Sequence, residues 1–369
     1  MGLRLFALIV KEFLALFRDK KSRMAVIGPP ILQLLIFGYA ATFSLEQAPL
    51  AIYNEDDGAF SRDLVGRFER SPAFEVVGYL RSETEIKPLV DRKKALVVLH
   101  VGQRCSADAA RGEGCAVQVL IDGRNSNTAM LALNYVRTIV TDFNQEWIEQ
   151  ATGSPLPAQL AVRAWFNPNL ESRWFFIPGI VALLAMIVTL VVTALSVARE
   201  REAGTFDQLL VTPLKPWEIM IGKAMPGLIV GVGEASFIVA VAVFWFQIPL
   251  VGDILTLLAA LIIYVLSIIG IGLMISSFSS TLQQALLGSF LFIVPAVTLS
   301  GFSTPIANMP NFMQALTYLD PMRYFLIIVR RIFLEGAGIA YFWHELWPMS
   351  LIALASLALA TRLFRHRLY

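Results

Sequence analysis

The chain has 369 residues, a formal net charge of +2, 56% hydrophobic residues and only 16% charged residues. Soluble domains usually contain about 25% charged residues, and the mean hydropathy here is +0.64, so the composition excludes a fully soluble protein, a disordered chain and a disulfide-dense mini-protein. The net charge is too small and too scattered to indicate binding to nucleic acid.

The charged residues are unevenly distributed along the chain. Residues 44–173 hold 31 of the 58 charged side chains, and the apolar runs on either side are nearly free of charge. About 20 apolar residues are needed to cross a bilayer as a helix. The sequence therefore predicts an α-helical membrane protein with six transmembrane helices and an α/β domain, 44–173, inserted between the first two. The predicted spans are 24–43, 174–197, 224–246, 254–278, 285–303 and 344–361.

Residues 1–23 precede the first span and have the pattern of an amphipathic helix. Apolar side chains recur on one face, and Arg4, Lys11 and Arg18 recur every seven residues on another. This pattern is typical of a helix that lies in the membrane interface. Such a helix is either an ordinary membrane-flanking element or also a docking element for a cytoplasmic partner.

The lysine and arginine residues predict the orientation of the chain. Residues 1–23, 198–223 and the tail 362–369 contain thirteen of them, whereas the short loops on the opposite side contain three. Positive residues accumulate in cytoplasmic loops. Both termini are therefore predicted to be cytoplasmic, and the inserted domain is predicted to lie outside.

The inserted domain alternates β-rich runs with helical patterns. The predicted strands are 50–53, 74–80, 95–101 and 116–121, and the predicted helices are 59–70, 82–92 and 125–150. This alternation indicates a small mixed sheet. The segment Asn54-Glu55-Asp56-Asp57, after the first strand, is interpreted as a solvated acidic turn or as a cation site.

Both cysteines of the chain lie in the inserted domain. Cys105 and Cys115 flank a small, polar, glycine-containing loop without histidine. In an oxidising compartment this arrangement favours a disulfide that closes a hairpin-like loop, and it does not favour a metal site. Two unpaired thiols are the alternative.

The predicted cytoplasmic loop 198–223 contains a short second helix after Gly204. Thr205 and Gln208 match a capping box at its start. Phe206 and Leu209 contribute to an apolar face that no bilayer covers. We expect this face either to pack on neighbouring parts of the chain or to insert into a groove on another protein.

Glu234 is the one carboxylate near the middle of a predicted span. Gly227, Gly231 and Ala235 form a stripe of small residues on the same helix, as is common where membrane helices pack closely. Glu234 should therefore face protein or a cavity rather than lipid. It is interpreted either as a group that binds a cation or carries a proton, or as a hydrogen-bonded packing residue.

Residues 304–343 are apolar but interrupted by Pro305, Pro310 and Pro321. Asp320 is placed to cap a helix that begins at Pro321. That helix is too short to span a bilayer. The pattern predicts a re-entrant hairpin near the outer face of the membrane.

Three motifs resemble those of ABC-2-type permeases, the membrane subunits of ATP-binding-cassette exporters. The first is Arg-Glu-Arg-Glu-x-Gly-Thr-x-x-Gln-Leu-Leu-x-x-Pro at 199–213. The second comprises Ser300-Gly301, Pro305, Met309-Pro310, Leu319-Asp320-Pro321 and Arg323-Tyr324. The third is Arg163-x-Trp165-Phe166-Asn167-Pro168-Asn169-Leu170. The resemblance covers essentially the whole chain. Within the family, the chain is similar to the bacterial inner-membrane drug-efflux branch, whose members have a large periplasmic domain. Asp320 departs from the asparagine that many members have.

The resemblance implies a non-catalytic permease whose ATP and Mg²⁺ bind to a separate ATPase subunit. The chain itself contains no Gly-x-x-x-x-Gly-Lys-Ser/Thr phosphate-binding loop. By resemblance, a second permease, identical or paralogous, lies across an apolar path for amphipathic substrates. A periplasmic adaptor protein is a further candidate partner. The implied ATPase contacts are Glu200, Glu202, Thr205, Phe206, Gln208 and Leu209. The implied path residues are Glu234, Ser289, Thr298 and Ser300.

Two other classes of function are compatible with six spans and an outer domain. A secondary transporter would use an ion gradient, but the two halves of the sequence show no repeat of broken helices. A membrane-anchored sensor or scaffold would need far fewer than six spans.

Overall fold

The computed structural model describes residues 2–18, 28, 31–36, 47–153, 165–168, 171–205 and 215–366. The chain divides into two compact units. The inserted unit comprises residues 42–163, and the helical unit comprises residues 1–41 together with residues 164–369.

The inserted unit is built on a four-stranded mixed sheet in the order β2-β1-β3-β4. β1 pairs in parallel with β2 and with β3, and β4 runs antiparallel to β3. The strands are β1 Ala48–Asn54, β2 Phe74–Tyr79, β3 Val97–Val101 and β4 Val117–Ile121. Each strand overlaps one of the four β-rich runs of the sequence.

Helices cover both faces of this sheet. α2 Ala59–Arg70 and α5 Ser126–Thr152 pack on one face, and the short α3 Ile86–Asp91 packs on the other. Along β1, Ile52 belongs to the first core and its neighbour Ala51 to the second. This alternation follows from the two-residue period of side chains along a strand.

A disulfide joins Cys105 and Cys115, whose Cα atoms lie 4.7 Å apart. The connection between β3 and β4 is more elaborate than a hairpin loop, because the short helix α4 Cys105–Ala110 begins at the first cysteine. Gly112 and Gly114 then reverse the chain with positive φ angles, which glycine adopts without steric cost. The disulfide therefore ties the start of α4 to the residues that lead into the edge strand β4.

The helical unit has α6 Ser172–Glu202 and α8 Ile254–Phe278 at its centre, packed on each other. The outer helices are α1 Gly2–Arg18, α7 Pro216–Phe244, α9 Leu282–Leu299, α10 Asn311–Leu316, α11 Pro321–Leu334 and α12 Trp343–His366. α6 also contacts α7, α9 and α11, whereas α8 packs most extensively on α12.

Five helices of the described chain are long and apolar enough to cross a membrane. They are Ser172–Glu202, Trp217–Phe244, Ile254–Phe278, Leu282–Leu299 and Ile339–Phe364, and they contain or overlap the last five predicted spans. The predicted first span, 24–43, lies mostly outside the described residues. Within it, residues 28 and 31–36 are helical.

The small residues of α7 lie where this helix approaches α6. A Cβ atom added at Gly227 would clash with Thr193, and one added at Gly231 would clash with Thr189. Because glycine has no side chain, the two helices approach closely and make more van der Waals contacts. In a membrane these contacts matter, because moving an apolar surface from lipid to protein contributes little hydrophobic stabilisation.

α1 packs on α7 through a narrow face. Leu8 and Leu16 are buried, and a Cβ atom on Gly222 of α7 would clash with Leu8. The wider apolar face remains exposed, including Phe6 and Leu14 at 65% and 62%. An exposed apolar face on a helix that is already docked fits the predicted location at a membrane interface.

The proline-rich segment folds as a series of short helices. Asp320 caps α11 as predicted, because its Oδ1 accepts a hydrogen bond of 2.9 Å from the Met322 amide and Pro321 occupies the first helical position. α11 has 14 residues, fewer than a bilayer requires. Phe325 of α11 stacks on Tyr264 of α8 with ring centroids 4.5 Å apart, so the segment forms part of the core of the helical unit.

We expect Cys105 and Cys115 to remain unmodified by a thiol reagent in the absence of reductant and to react after reduction. Closing a loop of 10 residues should stabilise the inserted unit by roughly 2–3 kcal/mol. The measurement is mass spectrometry of the labelled, unfolded protein. Stoichiometric labelling of either cysteine before reduction would contradict the pairing.

Candidate functional site

The first candidate site lies at the loop end of the helical unit, defined here as the end where residues 203–215 connect α6 to α7. Gly204, with a φ of +67°, terminates α6, and the Thr205 amide donates 2.9 Å to the Glu200 carbonyl oxygen. The helix therefore extends five residues beyond the predicted span, and the charged run before Gly204 stays helical. Phe206, Gln208 and Leu209 lie outside the described residues.

Four charged side chains form an ion cluster at the loop end. Lys223 of α7 is fully buried, and its Nζ donates 2.5 Å to Glu200 and 3.3 Å to Glu12 of α1. Lys11 of α1 also donates 2.5 Å to Glu200. Two positive and two negative groups thus balance, and their contacts join α1, α6 and α7.

Two of the residues implied to contact an ATPase have partners inside the helical unit. The Glu200 side chain is 9% exposed and accepts from both lysines of the ion cluster. Glu202 Oε2 accepts 2.7 Å from the Leu282 amide at the start of α9. Both carboxylates therefore fix the ends of helices, and Thr205 remains as an exposed residue at the edge of the undescribed part of the loop.

The sequence-based predictions do not include the ion cluster, because they place Lys11 on the polar face of an interfacial helix and use Lys223 only as one of the positive residues that indicate orientation. A signal existed in the position of Lys223, which follows seven residues of α7 and stands directly before its long apolar run. Its partner Glu12 is about 210 residues away, and a pairing at that distance is set by the packing of α1 on α7.

The second candidate site is the predicted transport path, and the structure does not bring its residues together. Glu234 lies on α7 beside α1, whereas Ser289, Thr298 and Ser300 belong to α9 or its end, and α9 packs on α6. Among the described residues, α7 and α9 make at most marginal contact with each other. The four residues therefore do not line one path within a single chain.

The hydroxyl groups of α9 bond to their own helix. Ser289 donates 2.8 Å to the Ala285 carbonyl, Thr298 donates 2.9 Å to Val294, and Ser300 donates 2.9 Å to Val297. Ser289 and Ser300 are buried, and Thr298 is exposed. Thr298 shares the exposed side of α9 with large apolar side chains, which are Leu287, Phe290, Leu291 and Val294.

The third predicted group, in the hairpin segment, supplies turns and caps. Pro305 precedes a turn of 3₁₀ helix and Pro310 precedes α10, while Asp320 and Pro321 start α11. Arg330 of α11 lies over the ring of Phe175, with Cζ 3.9 Å from the centroid. This contact offsets part of the cost of a partly buried guanidinium group.

The acidic turn of the inserted unit is engaged in internal contacts. Asp56 Oδ2 accepts 3.0 Å from the Ser106 amide, and hydrogen bonds from Ser106 lower the pKa of this carboxyl group. Glu55 accepts 2.6 Å from the Tyr53 hydroxyl and lies 3.4 Å from His100 Nε2. Within the described part of the chain, no three His, Cys, Asp or Glu side chains are grouped to hold a metal ion.

We expect Lys223→Met to destabilise the helical unit strongly, because two buried carboxylates would lose their shared cation. Removing one partner of a buried ion pair typically costs about 3–5 kcal/mol. Thermal unfolding of the purified protein should show this loss, and Lys215→Met, at the exposed residue directly before the same helix, should have little effect.

The double variant Lys223→Met/Glu200→Gln provides the specific control for charge balance. It keeps Lys11 and Glu12, which lie 3.7 Å apart, and it should recover part of the stability lost in Lys223→Met. A double variant less stable than the single variant would show that the lysine acts by packing and not by charge.

The amino-acid sequence of this chain is similar to those of known transporter proteins. Residues 20–362 match the family described as "ABC-2 family transporter protein". The chain is 42% identical over 366 residues, 99% of each chain, to a probable multidrug ABC transporter permease, YbhR, of Escherichia coli. It is 32% identical over 340 residues to a second such permease, YbhS, of the same organism, with 90% of this chain and 89% of the relative covered. An inner membrane transport permease of Escherichia coli, YhhJ, is 26% identical over 98% of this chain and 96% of its own length. The chain therefore belongs to the ABC-2 family of transporter proteins.

Proposed function

We propose that this chain is the membrane-spanning permease subunit of an ATP-driven exporter of amphipathic compounds in a bacterial inner membrane. The ion cluster is the observation that carries the proposal. It joins α1, α6 and α7 at the end where residues 206–214 connect two spans. A partner that moves this connection therefore moves three helices together.

The energy source in this proposal is a separate ATPase subunit that binds ATP and Mg²⁺. The chain lacks a phosphate-binding loop of the Gly-x-x-x-x-Gly-Lys-Ser/Thr type. The two carboxylates Glu200 and Glu202 hold the helix ends, so we assign the contact with the ATPase to the segment that follows, with Phe206 and Leu209 as its apolar side chains.

A second permease subunit, identical or paralogous, completes the proposed transporter. The exposed side of α9 carries Leu287, Phe290, Leu291 and Val294 at 59–77% exposure, and α9 begins where Glu202 of α6 caps it. Apolar helix faces of this kind are covered by lipid or by another helix. Facing α9 helices would put Thr298 beside a path between two subunits.

The substrate class follows from the relatives and from the lining of the helical unit. Two of the relatives are named as probable multidrug permeases. The five membrane-length helices of the described chain are apolar. An amphipathic cargo that partitions into the membrane suits such a surface.

Phe206→Asp tests the assignment of the docking segment. A charge placed in a desolvated groove should weaken binding of the ATPase by at least about 3 kcal/mol, which is roughly a hundredfold or more in affinity. The measurement is the amount of the P-loop ATPase that co-purifies with the tagged permease, normalised to the permease in the membrane.

Tyr79→Asp is the matched control, because it makes an aromatic-to-acidic change at an exposed position of the inserted unit. It should leave co-purification unchanged. An intact complex and ATP-coupled transport in Phe206→Asp would contradict the docking assignment. Gradient-driven transport by the permease alone in ATP-free vesicles would support a secondary transporter instead.

A further inference from the structure

A cavity of about 380 Å³ lies between α1, the helical residues 31–36 and α7. Its walls include the rings of Phe13 and Phe17 from α1 and Phe237 from α7, together with the aliphatic side chains of Ile31 and Leu34. Among the described residues that line it, Glu234 is the one ionisable residue. The described lining therefore combines a large apolar surface with a single acidic group.

The carboxyl group of Glu234 has no internal counter-charge in the described part of the chain. Both of its oxygen atoms are buried, and neither has a hydrogen-bond partner there. Lys223, the basic residue inside the same helix, is 11 residues away, roughly 16 Å at 1.5 Å per residue. It already binds Glu12 and Glu200. An ionised carboxylate in such surroundings is stable only with a cation beside it, and otherwise takes up a proton.

We propose that this cavity is a binding site for a lipophilic monovalent cation, such as an aryl- or alkyl-substituted ammonium or phosphonium ion. The charge of the ligand would be neutralised by Glu234, and the faces of Phe13, Phe17 and Phe237 would attract the same charge through their π-electrons. The aliphatic walls would hold the apolar groups of the ligand. Shielding from water strengthens the attraction between the two charges.

The site is accessible from the surface of the helical unit. Phe17, Ile31 and Phe237 are 40–53% exposed while they also line the cavity. Cavities of a few hundred Å³ accommodate drug-sized ligands. A ligand dissolved in the membrane would therefore enter between α1 and α7, on a different side of α6 from the exposed face of α9.

The charge of the site distinguishes the proposed ligand from other occupants. A lipid acyl chain would fill the apolar walls but leave the carboxyl group without a counter-charge. An anion would be repelled by the same group. A lipophilic cation bound here would be the substrate class of the proposed exporter. That this cation is transported, and not only bound, rests on the proposed function.

Tetraphenylphosphonium and tetraphenylborate form a matched pair of probes, since they have similar size and shape and opposite charge. Binding of each radiolabelled ion is measured by equilibrium dialysis with the purified full-length permease in lipid nanodiscs without nucleotide. The wild type should bind the cation saturably and more tightly than the anion. Glu234→Gln should lower affinity for the cation by about tenfold or more, with little loss for the anion, whereas Glu234→Asp should retain most of the cation affinity.

A pair of phenylalanine variants locates the site. Phe237→Leu removes one aromatic wall, whereas Phe244→Leu alters an exposed ring on the same helix, at 84% exposure, that does not line the cavity. Only the first should weaken binding of the cation. Equal cation affinity in the wild type and Glu234→Gln, equal affinity of the wild type for both ions, or equal losses in the two phenylalanine variants would each overturn the proposal, provided that the variants show wild-type thermal unfolding.

The two proposals fail in different ways. If no ATPase co-purifies and ATP does not drive export, the proposed function is wrong, but selective cation binding in the absence of nucleotide would still establish the site. If the complex forms and exports a neutral dye while Glu234→Gln binds tetraphenylphosphonium as the wild type does, the exporter proposal stands and the cation site is wrong.

Discussion

The buried charge of Lys223 is the constraint on which the loop end of the helical unit depends. Its side chain is fully buried, and among the described residues its charge is stabilised by carboxylates that come from α1 and α6. A buried ion pair contributes little net stability compared with apolar packing, but losing one member is strongly unfavourable. The ion cluster therefore specifies the arrangement of α1, α6 and α7, because their buried charges are paired only when the three helices are packed in this way.

Similar matching of polar groups fixes α6 against α8. Ser276 of α8 accepts hydrogen bonds from the Val197 and Ala198 amides of α6, at 3.0 and 3.2 Å. The Tyr264 hydroxyl of α8 donates 2.9 Å to the Ala182 carbonyl of α6. Inside a bilayer, apolar packing surfaces are little better than lipid. These polar contacts and the close approach of Gly272 of α8 to Thr193 of α6 therefore set the register of α6 and α8.

Local features of the sequence predicted the structure well, whereas contacts between distant residues were not predictable. The four strands and the Asp320 cap depend on neighbours within a few residues, and all are present. The extension of α6 was underestimated because hydropathy falls where the charged residues begin, although arginine and glutamate form helices readily. Glu200 was expected to contact a partner, but it lies three residues after the buried Val197, on the same face of α6. That face turns toward Lys11 and Lys223 only after α1 and α7 have packed.

The charged groups of the helical unit differ in whether they have partners among the described residues. At the loop end every member of the ion cluster has an opposite charge within 4 Å, and Arg330 in α11 has the ring of Phe175. Glu234 has neither an opposite charge nor a hydrogen bond in the described chain. A packing role would need a donor, because a buried carboxyl group without one lowers stability. A bound cation of the kind proposed would supply the opposite charge that Glu234 lacks among the described residues, and its binding would offset the cost of burying the carboxyl group.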